Sequence, residues 1–154
     1  MTKKLGAVSP GAEVHGALVR VLRWTSRRAN RQRLYGKAAE LSPNQVWLLD
    51  AMTGAARVRL SDLAAWQGVD KSTITVQVRK LEERGLLQRS ADAADRRAAL
   101  LVLTARGRSL QKRRVETGTA LIDALLLQWP IEEREAFATY FHRFADQLDD
   151  LNAS

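Results

Sequence analysis

The chain of 154 residues contains no cysteine. That excludes thiol nucleophiles, Cys-ligated zinc, iron–sulfur clusters and disulfide-based sensing, and it fits a reducing compartment. Aromatic residues make up only 6% of the chain, and there are three prolines and two histidines. His15 and His142 share no ligand spacing with another histidine, so they read as surface or packed side chains, and no metal is expected. No uncharged apolar run approaches the ~20 residues of a membrane span. Lys3 and Lys4 lead into no signal-peptide core, so the expectation is a cytoplasmic protein without membrane contact. There is also no Gly-rich phosphate loop, His-Glu metal motif or nucleophile elbow. Only scattered acids remain, which argues against an enzyme and against a bound cofactor.

Positive charge is what the chain has in excess: 25 Lys plus Arg against 17 Asp plus Glu, a formal +8 and a pI near 10.6. The excess is uneven. Residues 1–40 hold nine basic and two acidic side chains, 41–104 nine and seven, and 105–154 seven and eight. A last third without excess charge is free to pack against a copy of itself, while the rest favours a polyanion, with nucleic acid the leading candidate. The hydrophobic share of 45% and charged share of 27% are those of a globular chain.

After the Ser9-Pro10-Gly11 breaker, Val14, Ala17, Leu18, Val21 and Trp24 recur at helical spacing, and Arg20, Arg23, Arg27 and Arg31 line the opposite, solvated face. This first helix is expected to end near Gly36. Ser42-Pro43-Asn44-Gln45 reads as a capping box opening a helix that runs through Trp47, Leu48, Leu49 and Met52 to Gly54. Residues 60–66 read as a short helix capped by Ser61 and ended by Gly68. Asp70 caps the next, over 71–84. There Ile74, Val78 and Leu81 share one face, so Ser72, Thr75, Val76 and Arg79 look outward, flanked by Thr73 and Lys80. Two apolar-rich runs, 86–89 and 99–103, enclose a polar stretch over 90–97, predicting a hairpin with a charged loop. Thr104 begins a long helix to about Gln128, and Pro130 with Glu132 and Glu133 opens the last.

Two short capped helices joined by a Gly turn, the second outwardly polar and followed by a β-ribbon, are the parts of a winged helix-turn-helix. B-DNA's major groove, about 12 Å wide, admits one α-helix whose short polar side chains reach base edges. Ser72, Thr73, Thr75 and Arg79 suit that work, and Thr75 or Val76 suits a thymine methyl. Lys71 and Lys80 suit phosphates. At the hairpin tip Arg96 or Arg97, oriented by Asp95, suits a neighbouring minor groove.

Several stretches then resemble the MarR family of bacterial transcriptional regulators: Leu41-Ser42-x-x-Gln45, Leu60-Ser61-Asp62-Leu63-Ala64, Val69-Asp70-Lys71-Ser72-Thr73-Ile74-Thr75, Leu81-Glu82-Glu83-Arg84-Gly85-Leu86-Leu87, Asp95-Arg96-Arg97 and Leu103-Thr104-x-x-Gly107-Arg108. Each is weak alone, and their joint order is specific. The resemblance implies a homodimer on a near-palindromic operator, usually repressing, that often releases DNA when a small ligand binds. It also implies that 71–84 is the recognition helix and that the Asp95-Arg96-Arg97 tip touches DNA. Val76 stands where many relatives carry arginine, which alters part of the operator preference.

The fold class expected is mainly α with a small β-hairpin wing, about six α-helices in all. A dimerisation helix (1–40) precedes a winged helix-turn-helix (41–104), and dimerisation helices follow (105–154). Phe137, Phe141, Phe144, Leu148 and Leu151 repeat with alternating spacings of four and three, an a/d-like seam. With Leu121, Ile122, Leu125, Leu126 and the stripe from Val14 to Trp24, they form the expected dimer interface. Trp24, Trp47, Trp66 and Trp129 read as core or interface anchors, the other reading being a lining for an aromatic inducer. The competing function is a winged-helix protein-interaction module, against which the polarity of Ser72, Thr73, Thr75 and Arg79 argues.

Overall fold

The computed structural model describes residues 9–55, 57–91 and 99–153. Seven α-helices and a three-stranded antiparallel sheet make up the described chain. The count exceeds the expected six because the first helix is broken. Helix α1 spans Pro10–Ser26 and α2 spans Arg28–Tyr35, followed by a 3₁₀ turn over Gly36–Glu40. At the break Arg27 is extended, with φ −76° and ψ 131°. Three side chains occupy carbonyls nearby: Thr25 Oγ1 donates to Leu22 O (2.9 Å), Ser26 Oγ to Arg23 O (2.8 Å) and Asn30 Nδ2 to Trp24 O (2.9 Å). Such local bonds give the backbone an alternative to the next helical turn. Arg31 also departs from the solvated face assigned to it. It is half-buried, and its Nη2 donates to Leu41 O at 2.6 Å and Ala39 O at 3.4 Å.

Helix α3 (Pro43–Ala51) opens on the expected capping box. Gln45 N–H donates to Ser42 Oγ at 3.3 Å, and Ser42 N–H to Gln45 Oε1 at 3.0 Å. Strand β1 (Val58–Arg59), which the sequence reading missed, leads directly into α4 (Leu60–Gln67). The cap position therefore falls on Arg59, with no side-chain cap. Ser61 lies inside the first turn, where its hydroxyl donates to Asp62 at 3.2 Å. Gly68 ends α4 at φ 64°, a left-handed conformation that a Cβ disfavours. Helix α5 covers Lys71–Glu83, and the wing strands β2 (Leu87–Ala91) and β3 (Ala99–Leu103) pair from Leu87 opposite Leu103 to Ala91 opposite Ala99. β1 adds to the far edge of β3, with Val58 opposite Leu101.

The buried core sits inside this winged helix-turn-helix: Leu48, Leu49 and Met52 of the α3 region, Leu63, Ile74, Val78, Leu81 and Leu101 are all essentially sealed. Helix α6 (Ala105–Leu126) is locked to it at its start. Thr104 Oγ1 donates to Gly85 O at 2.7 Å and accepts from Gly107 N–H at 3.0 Å. Gly107 is required here, since a Cβ would lie 2.1 Å from the Leu86 carbonyl oxygen. Further along, Gln111 Nε2 donates to Leu49 O at 2.6 Å and to the Thr53 hydroxyl, and Arg114 pairs with Asp50. Burial pushes the Asp50 carboxyl above its usual range, opposed by the Arg114 charge.

The chain divides into two compact units, one up to Gly118 and one from Thr119. In the second, α7 (Ile131–Ala153) begins where expected: the Pro130 carbonyl accepts from the N–H groups of Glu133 and Arg134, both at 3.1 Å, and Glu132 and Glu133 lie in its first turn. Among the described residues no helix is long and apolar enough to cross a membrane.

Candidate nucleic-acid interface

Helix α5 keeps a polar outer face because of what lies beneath it. Ile74, Val78 and Leu81 are buried, which fixes the rotation of the helix. Lys71, Ser72, Val76, Arg79 and Lys80 are left exposed, with Thr73 and Thr75 half-buried. Two cations and a guanidinium on one short helix supply the charge that a phosphate backbone demands. In the isolated chain Arg79 Nε lies 3.6 Å from Glu83 Oε1 with both side chains about two-thirds exposed. Such exposed pairs are worth roughly 0.2–1 kcal/mol, so Glu83 holds the guanidinium only weakly.

The N-terminus of α5 is more tightly organised than its residue types suggest. Asp70 Oδ1 accepts from Thr73 N–H at 2.9 Å, which makes it the predicted cap. The same carboxylate also accepts from the hydroxyls of Ser72 and Thr73, the latter at 2.8 Å. These bonds, the one from the Ser72 hydroxyl foremost, hold the Asp70 carboxyl far below the usual carboxylate range. Thr75 Oγ1 donates back to Lys71 O at 2.6 Å. Sequence reasoning identified the cap and missed the hydroxyl donors, although an Asp two and three residues ahead of Ser and Thr is the recognisable signal.

The wing is tied to the helix by a contact that no short-range rule reveals. Arg89 Nε on β2 donates to Glu82 Oε1 at 2.9 Å and Nη2 to Oε2 at 3.4 Å, a two-pronged pair that orients the ribbon against α5. The tip residues Asp95, Arg96 and Arg97 lie outside the described residues.

The expected dimer seam presents itself to solvent. Phe141 is 58% and Leu151 75% exposed, and Val14, Val21, Leu125, Phe137 and Leu148 are exposed as well. Ala17, Leu18, Leu121 and Phe144 are half-buried. The rings are ordered: Phe137 stacks on Phe141 with centroids 5.6 Å apart, and Trp129 tilts against Phe137 at 5.4 Å. None of the four tryptophans belongs to the buried core. A cleft of about 470 Å³ lies among the 3₁₀ turn, the end of α5 and the start of α6, lined by Lys37, Glu40, Arg84, Arg106 and Arg113 among others, and by no tryptophan. Among the described residues no cluster of His, Asp and Glu could hold a metal ion.

Helix α4, a glycine turn, an outwardly polar α5 capped by Asp70 and a paired wing define a winged helix-turn-helix. Residues 39–98 match the model of the MarR family. The Bacillus subtilis protein YxaD, described as an uncharacterized HTH-type transcriptional regulator, is 26% identical over 107 residues, 70% of this chain and 75% of that protein. The Escherichia coli transcriptional regulator HosA is 33% identical over 67 residues, 44% of this chain and about half (50%) of HosA's own length. Among solved structures, MarR superposes with TM-score 0.66 at 29% identity, covering 88% of this chain and 96% of that one. Streptococcus pneumoniae FabT, solved in complex with DNA, superposes with TM-score 0.74 over 90% and 97% of the two chains, and its 21% identity speaks for the fold alone. Over residues 39–98 the chain is similar to the MarR family, and the relatives it matches are described as transcriptional regulators. The relatives are regulators, not enzymes.

Proposed function

We propose that the chain acts as a homodimer that lays two α5 helices into successive major grooves of a near-palindromic operator, represses transcription there, and lets go when a small molecule binds. The observation that carries this reading is the outer face of α5, where Lys71, Ser72, Thr73, Thr75, Val76, Arg79 and Lys80 lie over a sealed apolar underside. An interaction module would present a more apolar face. The exposed aromatic seam on α7 supports the dimer, because a contiguous apolar stripe of this kind marks an association surface. Two heads held about 34–36 Å apart would meet one face of the duplex. The cleft beside Arg84 and Arg106 is of a size that admits a small ligand, and its charged lining favours an anionic group on an aromatic inducer. A cytoplasmic location follows from that role. The division into residues 1–40, 41–104 and 105–154 serves it too, with the outer two segments supplying the dimer.

Titration on duplex DNA at several salt concentrations, with the chain's own upstream sequence and a scrambled control, tests the reading. The expected result is a log–log salt slope of about −0.9 per neutralised phosphate with preference for one duplex. Equal, weak binding to both duplexes favours the interaction module. Arg79→Ala should cost about 1–3 kcal/mol of discrimination at one base position, whereas Arg97→Ala should weaken all sequences alike.

A further inference from the structure

Three hydroxyl side chains sit within the first five residues of α5, and in each the single proton is already committed. Ser72 and Thr73 donate to the two oxygens of Asp70, and Thr75 donates to the Lys71 carbonyl. A hydroxyl has one proton and two acceptor sites, so a proton turned back toward the helix leaves only lone pairs facing outward. Donation to an ionised carboxylate is stronger than donation to a neutral base carbonyl, so a base acceptor competes poorly for these protons. The carboxylate is also the helix cap, taking the Thr73 N–H at 2.9 Å, which holds it in place as the hydroxyls' partner.

We infer that Asp70 makes the first turn of α5 an acceptor-only reader, selecting a base that offers an exocyclic amino group in the major groove, cytosine N4 or adenine N6. Guanine O6 and N7 and thymine O4, which present acceptors, are rejected at that place. Arg79, two turns further along, supplies donors only. The helix is therefore polarised along its axis, with acceptors first and a donor fork later, and this fixes the orientation of each base pair in the half-site. Asp70 touches no base in this scheme: it is a positioning residue that acts through Ser72 and Thr73. The inference rests on the placement of α5 in the groove.

The test uses the full chain and duplexes selected by it from a random pool. In the selected half-site each adenine is replaced in turn by purine, which lacks N6, each cytosine by 2-pyrimidinone, which lacks N4, and each guanine or adenine by its 7-deaza analogue, which lacks the N7 acceptor. The expected result is one position at which deletion of the amino group weakens binding about tenfold while 7-deaza replacement at the same base pair does not. Asn caps a helix as well as Asp does but turns a donor toward one hydroxyl, so Asp70→Asn should keep the thermal melt and lose most of that amino sensitivity. Should Asp70→Asn fail to fold, Ser72→Ala serves the same purpose, since it removes the acceptor itself. Undiminished amino sensitivity in a folded Asp70→Asn, or in Ser72→Ala where Asp70→Asn does not fold, overturns the inference. So does a wild-type site in which only acceptor deletions matter at the position governed by Ser72. If no duplex is enriched over the scrambled pool, the groove placement itself has failed, a result distinct from a selected site with the wrong chemistry.

Discussion

Ile74, Val78 and Leu81 of α5 are sealed, whereas Phe137, Phe141 and Phe144 of α7 are exposed or half-exposed, although both triplets follow the same spacing of four and three. Helical periodicity says which face is apolar and nothing about which chain covers it. In the winged helix-turn-helix the covering residues lie close along the same chain, in α3, α4 and the sheet. Helix α1 has no buried residue, and its Val14 and Val21 are exposed like the α7 seam. One region closes its own core, and the other leaves its apolar stripes exposed.

The largest effect that would break this contrast is expected on the seam. Replacing Phe137 and Phe141 together by Glu puts like charges where two copies would meet. We expect light scattering to report a monomer and operator affinity to fall by a factor on the order of 10²–10³, the scale lost when two linked contacts become one. The melting of the winged helix-turn-helix should stay nearly unchanged. A variant that remains dimeric with full operator affinity would place the dimer contact elsewhere.

Next in size is the sealed side. Ile74→Ala removes three carbons from a fully buried position beneath the polar face of α5. A loss of about 2–5 kcal/mol of unfolding free energy is expected in denaturant titration. The two regions separate by concentration dependence: the Ile74→Ala deficit should be the same at every protein concentration, whereas stability drawn from the seam should rise with concentration by mass action. A deficit that itself varies with concentration would mean that the head does not close its core alone.

Elements whose determinants are adjacent in the sequence were legible in it: the Ser42–Gln45 capping box, the Asp70 cap, the Gly68 stop and the Pro130 start. What escaped depends on partners far away or on hydrogen direction. Strand β1 is two residues long with no pattern of its own, and it forms because β3 offers an open edge. Arg31 reads as a solvated cation until the carbonyl of Leu41, ten residues on, comes within 2.6 Å. The break at Arg27 needs hydrogen bonds from Thr25, Ser26 and Asn30 to coincide. At the site, residue types on α5 were readable from the pattern, but the direction of the Ser72 and Thr73 protons was not, since it depends on both oxygens of one carboxylate being in reach.

The smallest expected effect sharpens the contrast with one chemical change made in both regions. Ser42 Oγ accepts from Gln45 N–H at the start of α3, and Ser9 Oγ accepts from Ala12 N–H at the start of α1, at 3.3 and 3.2 Å. Loss of such a cap costs about 0.5–2 kcal/mol, typically ~1. Ser42→Ala should reach the middle of that range in global unfolding, because α3 carries Val46, Leu48 and Leu49 into the closed core and cannot fray without opening it. Ser9→Ala frays a helix with no buried residue, so it should leave global unfolding of a dilute sample within about 0.3 kcal/mol of wild type and appear only as faster amide exchange in the first turn of α1. Equal losses in the two variants would mean that α1 is already part of the cooperative unit before any second copy arrives.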